Sequence, residues 1–200
     1  RGTNGGLLIF YAIFHHGFVH SPKCGMLAGV DGFHFSKSLS NPYQYAKRIT
    51  MNRRFGTPPL DTLTYAPRPG VYAIIDAGDS ILATLQDDPV DPELQLPGGG
   101  IDVGESPLRA LMREVMEETG YRIHGPRRLG MFHRFTYMPE YNLYAQKQCH
   151  IYLAKLGPRH GPPTEMGHMP VFLPWDVAAE RLAIAGDRFF ISRVIQARRG

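Results

Sequence analysis

Residues 99–121 read GGIDVGESPLRALMREVMEETGY. Within that stretch Gly99, Glu105, Arg113, Glu114, Glu117, Glu118 and Gly120 stand at the spacing G-x5-E-x7-R-E-x-x-E-E-x-G. Pro107 suits the first turn of a helix and Gly120 its end. Leu108, Leu111, Met112 and Val115 recur at helical spacing, which predicts an apolar face turned to a core. Glu114, Glu117 and Glu118 lie at i, i+3 and i+4, so they are neighbours on another face of the same helix. Arg113 precedes Glu117 by four residues and Glu105 precedes Arg109 by four. Either pair could support the helix, each by about 0.2–0.5 kcal/mol.

Three adjacent carboxylates repel one another, and near a helix C-terminus they also oppose the macrodipole. A sequence tuned for stability alone would place lysine or arginine at Glu117 and Glu118, and local rules are broken mostly where function demands it. A hard cation with oxygen ligands offsets the repulsion, which points to Mg²⁺ or Mn²⁺ rather than zinc. The turn Leu96-Pro97-Gly98-Gly99-Gly100 lets the backbone approach closely, so a carbonyl near Gly99 could complete the shell.

The segment resembles the Nudix box, the signature of the Nudix hydrolase superfamily. Every charged and glycine position of that pattern is present, and Tyr121 stands where the family usually has an aliphatic residue. Judged by the order of elements, the wider resemblance covers about residues 65 to 185. It implies an α/β/α sandwich around a mixed sheet. It also implies hydrolysis of a nucleoside diphosphate linked to another group, with Mg²⁺ or Mn²⁺ as cofactor. By position in the motif, Glu117 and Glu118 are the expected metal ligands, joined by Glu114, which is also a candidate general base, and by the Gly99 carbonyl. Arg113 is expected to orient the glutamates, and Glu105 to anchor the box or reach the metal through water. Some members of the family draw a base from a later loop, and Glu165 is the candidate here.

The chain of 200 residues is 43% hydrophobic, enough for one globular domain with its own core. Its two cysteines, Cys24 and Cys149, argue against a disulfide framework and for a cytoplasmic protein. Cys149 sits in a strand-like run and reads as a small core residue. The net charge of +4 lies wholly in residues 1–50, because residues 51–200 hold 17 basic and 17 acidic side chains. The catalytic region therefore has no broad basic footprint, and no nucleic-acid polymer is expected as partner. Arg127-Arg128 and Arg198-Arg199 read as solvated pairs. The apolar run LLIFYAIF (residues 7–14) is too short to span a membrane, which needs about 20 residues. His15, His16, His20 and His34 lack metal-site spacing. Residues 1–50 thus read as an N-terminal extension, either an arm that packs on the domain or a partner subunit, or upstream sequence mis-assigned to a protein starting at Met51. Residues 51–200 read as the hydrolase domain.

Pattern alone gives an α+β class. Val71–Ile75 and Ser80–Leu85 flank a turn at Ala77-Gly78-Asp79 and predict a hairpin. A polar loop over 87–92, a brief strand at 94–96 and the box helix follow. Strands are expected near 129–137 and 146–156, with a turn at 138–142, and a short strand at 171–173 after a Pro/Gly-rich loop. Asp176 is expected to N-cap a helix over 177–183, with a last helix over 187–197. Trp175 is expected to pack that last helix onto the sheet. His133, Arg134, Tyr137, Glu140 and Tyr141 fall in the hairpin after the box. Of these, Arg134 could meet a phosphate and Tyr137 could stack on a base, although cross-strand packing explains such residues equally. The expected partner is a small nucleotide, and a homodimer is compatible with the resemblance. The competing readings are a Nudix-fold nucleotide-binding or regulatory module without turnover, which the complete set of box glutamates disfavours, and an isomerase of isoprenoid diphosphates, for which no matched cysteine–glutamate pair is present.

Overall fold

The computed structural model describes residues 49–86 and 92–200. The extension expected over residues 1–50, with its apolar run and histidines, falls outside them apart from Ile49 and Thr50. The loop expected over 87–92 falls outside them apart from Pro92. The strands are β1 (Ile49–Arg54), β2 (Ala66–Asp76), β3 (Ser80–Gln86), β4 (Glu93–Gln95), β5 (Tyr121–Met138), β6 (Leu143–Arg159) and β7 (His168–Pro174). The helices are α1 (Pro107–Thr119), α2 (Trp175–Arg181) and α3 (Ala185–Arg199).

The sheet is mixed. β1 runs parallel to β5 and β2 parallel to β6, while β5–β6, β2–β3, β3–β4 and β3–β7 are antiparallel. β2 and β3 pair only at their hairpin, through Ile75 with Leu82 and Asp76 with Ile81. Beyond that point they splay, and the chain leaving β4 enters the gap. The Ala73 amide donates to Pro97 O at 2.8 Å, Val71 N to Gly99 O at 2.9 Å, and Ile101 N to Pro69 O at 3.1 Å. The glycine turn is thereby laid along β2 as a pseudo-strand, with its backbone groups paired.

Successive side chains of a strand face opposite sides of the sheet, and this alternation builds two cores. Val71, Ala73 and Ile75 of β2 pack with Ala110, Leu111 and Val115 of α1. Ile74 of β2 joins Ile151 and Leu153 of β6 against Ala178, Phe190, Ile191 and Val194 of α2 and α3. The expected α/β/α sandwich is therefore the observed architecture. Cys149 is a core residue, as expected, and burial pushes its thiol up to about 12.

Four local expectations need correction. Leu108 and Met112 are half exposed, and Ala110, Glu114 and Glu118 are buried instead. The sheet is met by a narrower apolar stripe than the spacing suggests, because the helix also presents carboxylates inward. Glu105 pairs with Arg113, not Arg109. α2 begins at Trp175 behind Pro174, so Asp176 lies in its first turn rather than capping it. Arg198, read as solvated, binds Asp76 at 3.0 Å, donates to Gly78 O at 2.9 Å and lies 4.5 Å over the Trp175 ring. Trp175 itself donates to Gly78 O, so helix α3 is fastened to the β2–β3 turn through it, as expected.

Two features of this frame are testable. Gly98 has φ +143°, and an added Cβ would stand 2.0 Å from Val71 O. Strain of about 1–3 kcal/mol and a backbone clash both follow, so Gly98→Ala should lower the melting temperature by at least several degrees. Asp187, 3% exposed at the start of α3, accepts the Leu96 amide. Burial raises its carboxyl from 3.8 to about 7, against the opposing pull of Arg134. The folded state then keeps a proton that the unfolded chain has released, so stability falls as pH rises from about 4 through about 7. Asp187→Asn removes the titrating group, and its melting temperature should exceed that of the parent protein at pH 8 by roughly 5–10 °C but not at pH 4.

Candidate active site

Helix α1 starts where the sequence says it should. The Ser106 hydroxyl accepts the Arg109 amide at 3.4 Å, and Pro107 occupies the first turn. It ends at Gly120, whose φ of 72° is the left-handed conformation that closes helices. The carbonyls at that end are bonded by the loop after β6. Glu117 O accepts from Thr164 N at 2.8 Å and Glu165 N at 3.0 Å, and Gly120 O accepts from His160 N at 2.7 Å. Satisfying the helix terminus thus carries Glu165, distant in sequence, to the carboxylates of the box.

Arg113 is the hub behind the cluster. Its guanidinium reaches Glu105 through Nε at 3.1 Å and Nη2 at 2.8 Å, Glu114 at 2.8 Å, Glu117 at 3.1 Å and Gly100 O at 3.2 Å. The two bonds to Glu105 form the fork geometry that lysine cannot supply. Glu105 also accepts the Asp102 amide, and the Arg113 guanidinium holds its carboxyl below the usual carboxylate range. Neither Arg113 nor Glu105 lines the cleft in front of the helix. Both support it from behind.

Glu114 and Glu118 face the cleft and are 8% and 5% exposed. Burial raises both carboxyls. Glu118, which also feels Glu165, Glu114 and Glu117, is pushed up to about 9 although it accepts the Gly98 amide at 3.1 Å. Oxygens of Glu114, Glu117 and Glu165 lie within 4.8 Å of one another, and a second group of the same span joins Glu118, Glu165 and His168. Oxygen-rich and closely spaced, this donor set suits a hard divalent cation. The Gly99 carbonyl accepts the Val71 amide, and an added Cβ at Gly99 would meet the Glu114 carboxylate at 2.5 Å. The turn is therefore glycine where the backbone and the carboxylate meet.

The cleft has a volume of about 800 Å³, within the range that holds a nucleotide-sized ligand. Glu114, Glu118 and Glu165 share its lining with Arg68, Arg134 and Lys147 and with the rings of Tyr72, Tyr137 and Tyr141. Arg134 and Tyr137, singled out from the sequence, both line it, whereas His133 does not; the Glu140 side chain lies outside the described residues. Tyr137 donates to Asn142 Oδ1 at 2.6 Å and Arg68 stacks 4.4 Å over Tyr141. Sequence reasoning missed Lys147, Tyr72 and His168. All three sit on strands and reach the cleft by pairing alone; the one local hint was His168 following Glu165 at i+3.

The model of the NUDIX domain matches residues 65–191, and the chain belongs to that family. An RNA pyrophosphohydrolase of Cereibacter sphaeroides is 46% identical over 59 residues, 30% of this chain and 36% of that protein. A CMP-5'-(N-acetyl-N-hydroxy-3-aminopropyl)phosphonate hydrolase of Streptomyces rubellomurinus is 40% identical over 90 residues, 44% of this chain and 41% of that protein. The chain thus spans well under half the length of these relatives. A NUDIX hydrolase from Nitrosomonas europaea shares the fold at 18% identity and a TM-score of 0.52, covering 67% of this chain and 89% of that one. No helix among the described residues is long and apolar enough to cross a membrane.

The hub arginine sets a quantitative expectation. Arg113→Lys keeps the charge but loses the fork, so the glutamates are no longer held in one arrangement. Mn²⁺ affinity measured by titration calorimetry should fall by about 10- to 100-fold, with the circular dichroism spectrum unchanged.

Proposed function

We propose that this chain is a metal-dependent pyrophosphohydrolase that cleaves a nucleoside diphosphate linked to another moiety, with water attacking phosphorus. The observation that carries this reading is the convergence of Glu114, Glu118 and Glu165 on a cleft that also presents Arg68, Arg134 and Lys147, with Glu117 beside them. Such a site receives a phosphate chain between cations, protein-borne on one side and metal on the other.

Glu117 and Glu118 are the proposed metal ligands, with Glu114 beside them and the second lone pair of the Gly99 carbonyl available to the same shell. Mg²⁺ or Mn²⁺ bound there neutralises phosphate charge and lowers the pKa of a bound water. Glu165 is the proposed general base. At 45% side-chain exposure it is the most open carboxylate of the cluster, and it reaches both groups of donors, so it can take a proton from water on the cleft side. Glu114 is the alternative base, with Arg113 holding one of its oxygens. Arg113 and Glu105 position the box and do not touch substrate. Arg134 and Lys147 are placed to meet phosphate oxygens, and Tyr137 and Tyr141 to stack on a base.

The relative named as an RNA pyrophosphohydrolase makes RNA a second substrate class to weigh against small nucleotides. The cationic and aromatic rim of the cleft suits either. The cytoplasm is the proposed compartment, in keeping with the free, buried thiol of Cys149. A binding module without turnover is disfavoured because every box glutamate is retained.

The test is a release assay with Mg²⁺ or Mn²⁺ against nucleoside triphosphates, oxidised dGTP, ADP-ribose, NADH, CoA, diadenosine polyphosphates and 5′-triphosphorylated RNA. Turnover is expected on at least one, and Glu118→Gln should reduce it by at least about 100-fold while the fold is kept. Equal turnover in Glu118→Gln at saturating metal would overturn the assigned site.

A further inference from the structure

β7 opens at His168 in the same cleft, opposite Gln86 in register, and its imidazole enters between two carboxylates. Nε2 stands 3.7 Å from Glu118 Oε1, and Nδ1 stands 3.7 Å from Glu165 Oε1. The side chain is 13% exposed, and Nδ1 is fully enclosed without a hydrogen-bond partner.

At 3.7 Å neither ring nitrogen hydrogen-bonds its carboxylate directly. A ring nitrogen serving to brace a carboxylate closes to about 2.7–3.2 Å, and neither nitrogen does so. An enclosed ring nitrogen without a partner is costly, and a cation or a water in the space between would relieve it. Two donors bonded at about 2.1–2.2 Å to one ion lie about 3.0–4.3 Å apart, depending on the angle between the bonds. Each 3.7 Å separation falls inside that interval, and a single ion would take one of the two ring nitrogens. One ring nitrogen and one oxygen from each carboxylate lie within 4.8 Å of one another, so a small rotation of the exposed Glu165 side chain completes the set.

We infer that His168 is a direct ligand of the divalent cation held by Glu118 and Glu165, making this a mixed nitrogen–oxygen site and passing the role of general base from Glu165 to Glu114. The inference rests on the metal-dependent reading above and adds to it a residue and a selectivity. Mg²⁺ takes oxygen donors and dehydrates reluctantly, whereas first-row transition cations accept imidazole. The Glu118–Glu165–His168 position therefore prefers Mn²⁺ over Mg²⁺, while the all-carboxylate group of Glu114, Glu117 and Glu165 does not discriminate by donor type.

The experiment uses the full chain and the metal itself as probe. Pulsed electron paramagnetic resonance of the Mn²⁺-loaded parent protein should show coupling to an imidazole nitrogen, and His168→Gln should lose it. In titration calorimetry His168→Gln should weaken Mn²⁺ binding by at least about tenfold and change Mg²⁺ binding by less than about threefold. The parent spectrum decides the ligand even if the variant does not fold. Bound Mn²⁺ without nitrogen coupling overturns the histidine ligand and leaves the carboxylate site standing. Failure to bind Mn²⁺ at all overturns both this inference and the metal site on which it rests.

Discussion

Four carboxylates share the end of one helix, and two of them, Glu114 and Glu118, are almost fully buried. Everything around them answers that concentration of charge. Arg113 neutralises it from behind, bonding Glu105, Glu114 and Glu117 with one planar group. The Gly98 amide addresses Glu118 from the turn. Burial pushes Glu118 up to about 9. On the proposed function a bound divalent cation would supply further positive charge, and the cluster trades intrinsic stability for that role.

The frame that holds this arrangement is a sheet with a gap in it. Because β2 and β3 separate after two residue pairs, the segment from Leu96 to Ile101 can lie along β2 with its amides and carbonyls paired. That fixes where α1 begins. The C-terminal end is fixed by the loop that delivers Glu165, whose own amide bonds Glu117 O. The same loop leads into His168. Backbone satisfaction at the two ends of one helix therefore places the box carboxylates and Glu165.

Much of the fold was readable along the chain. The apolar run of β2, the strand-like run of β6 and the apolar spacing of α1 predicted elements that are present, and the motif predicted the sandwich. Errors came where one periodicity serves two purposes. Leu108 and Met112 fit a helical stripe but lie half exposed, because Glu114 and Glu118 take inward positions that a stability-driven helix would give to apolar side chains. Arg198 looked like surface charge because nothing in its neighbourhood reveals its partners Asp76 and Gly78, the latter 120 residues away in sequence.

The sequence by itself determined the box helix, its limits at Pro107 and Gly120, and the carboxylate cluster, because these depend on spacing within one helix and on the conformational limits of proline and glycine. Only the tertiary structure decided which groups face that cluster. Glu165 is brought by loop amides closing a helix end, His168 by the β3–β7 register, and Arg134 and Lys147 by strand pairing. Side chains from separate strands meet through registers set by the packing of the whole sheet, and no local pattern carries that information.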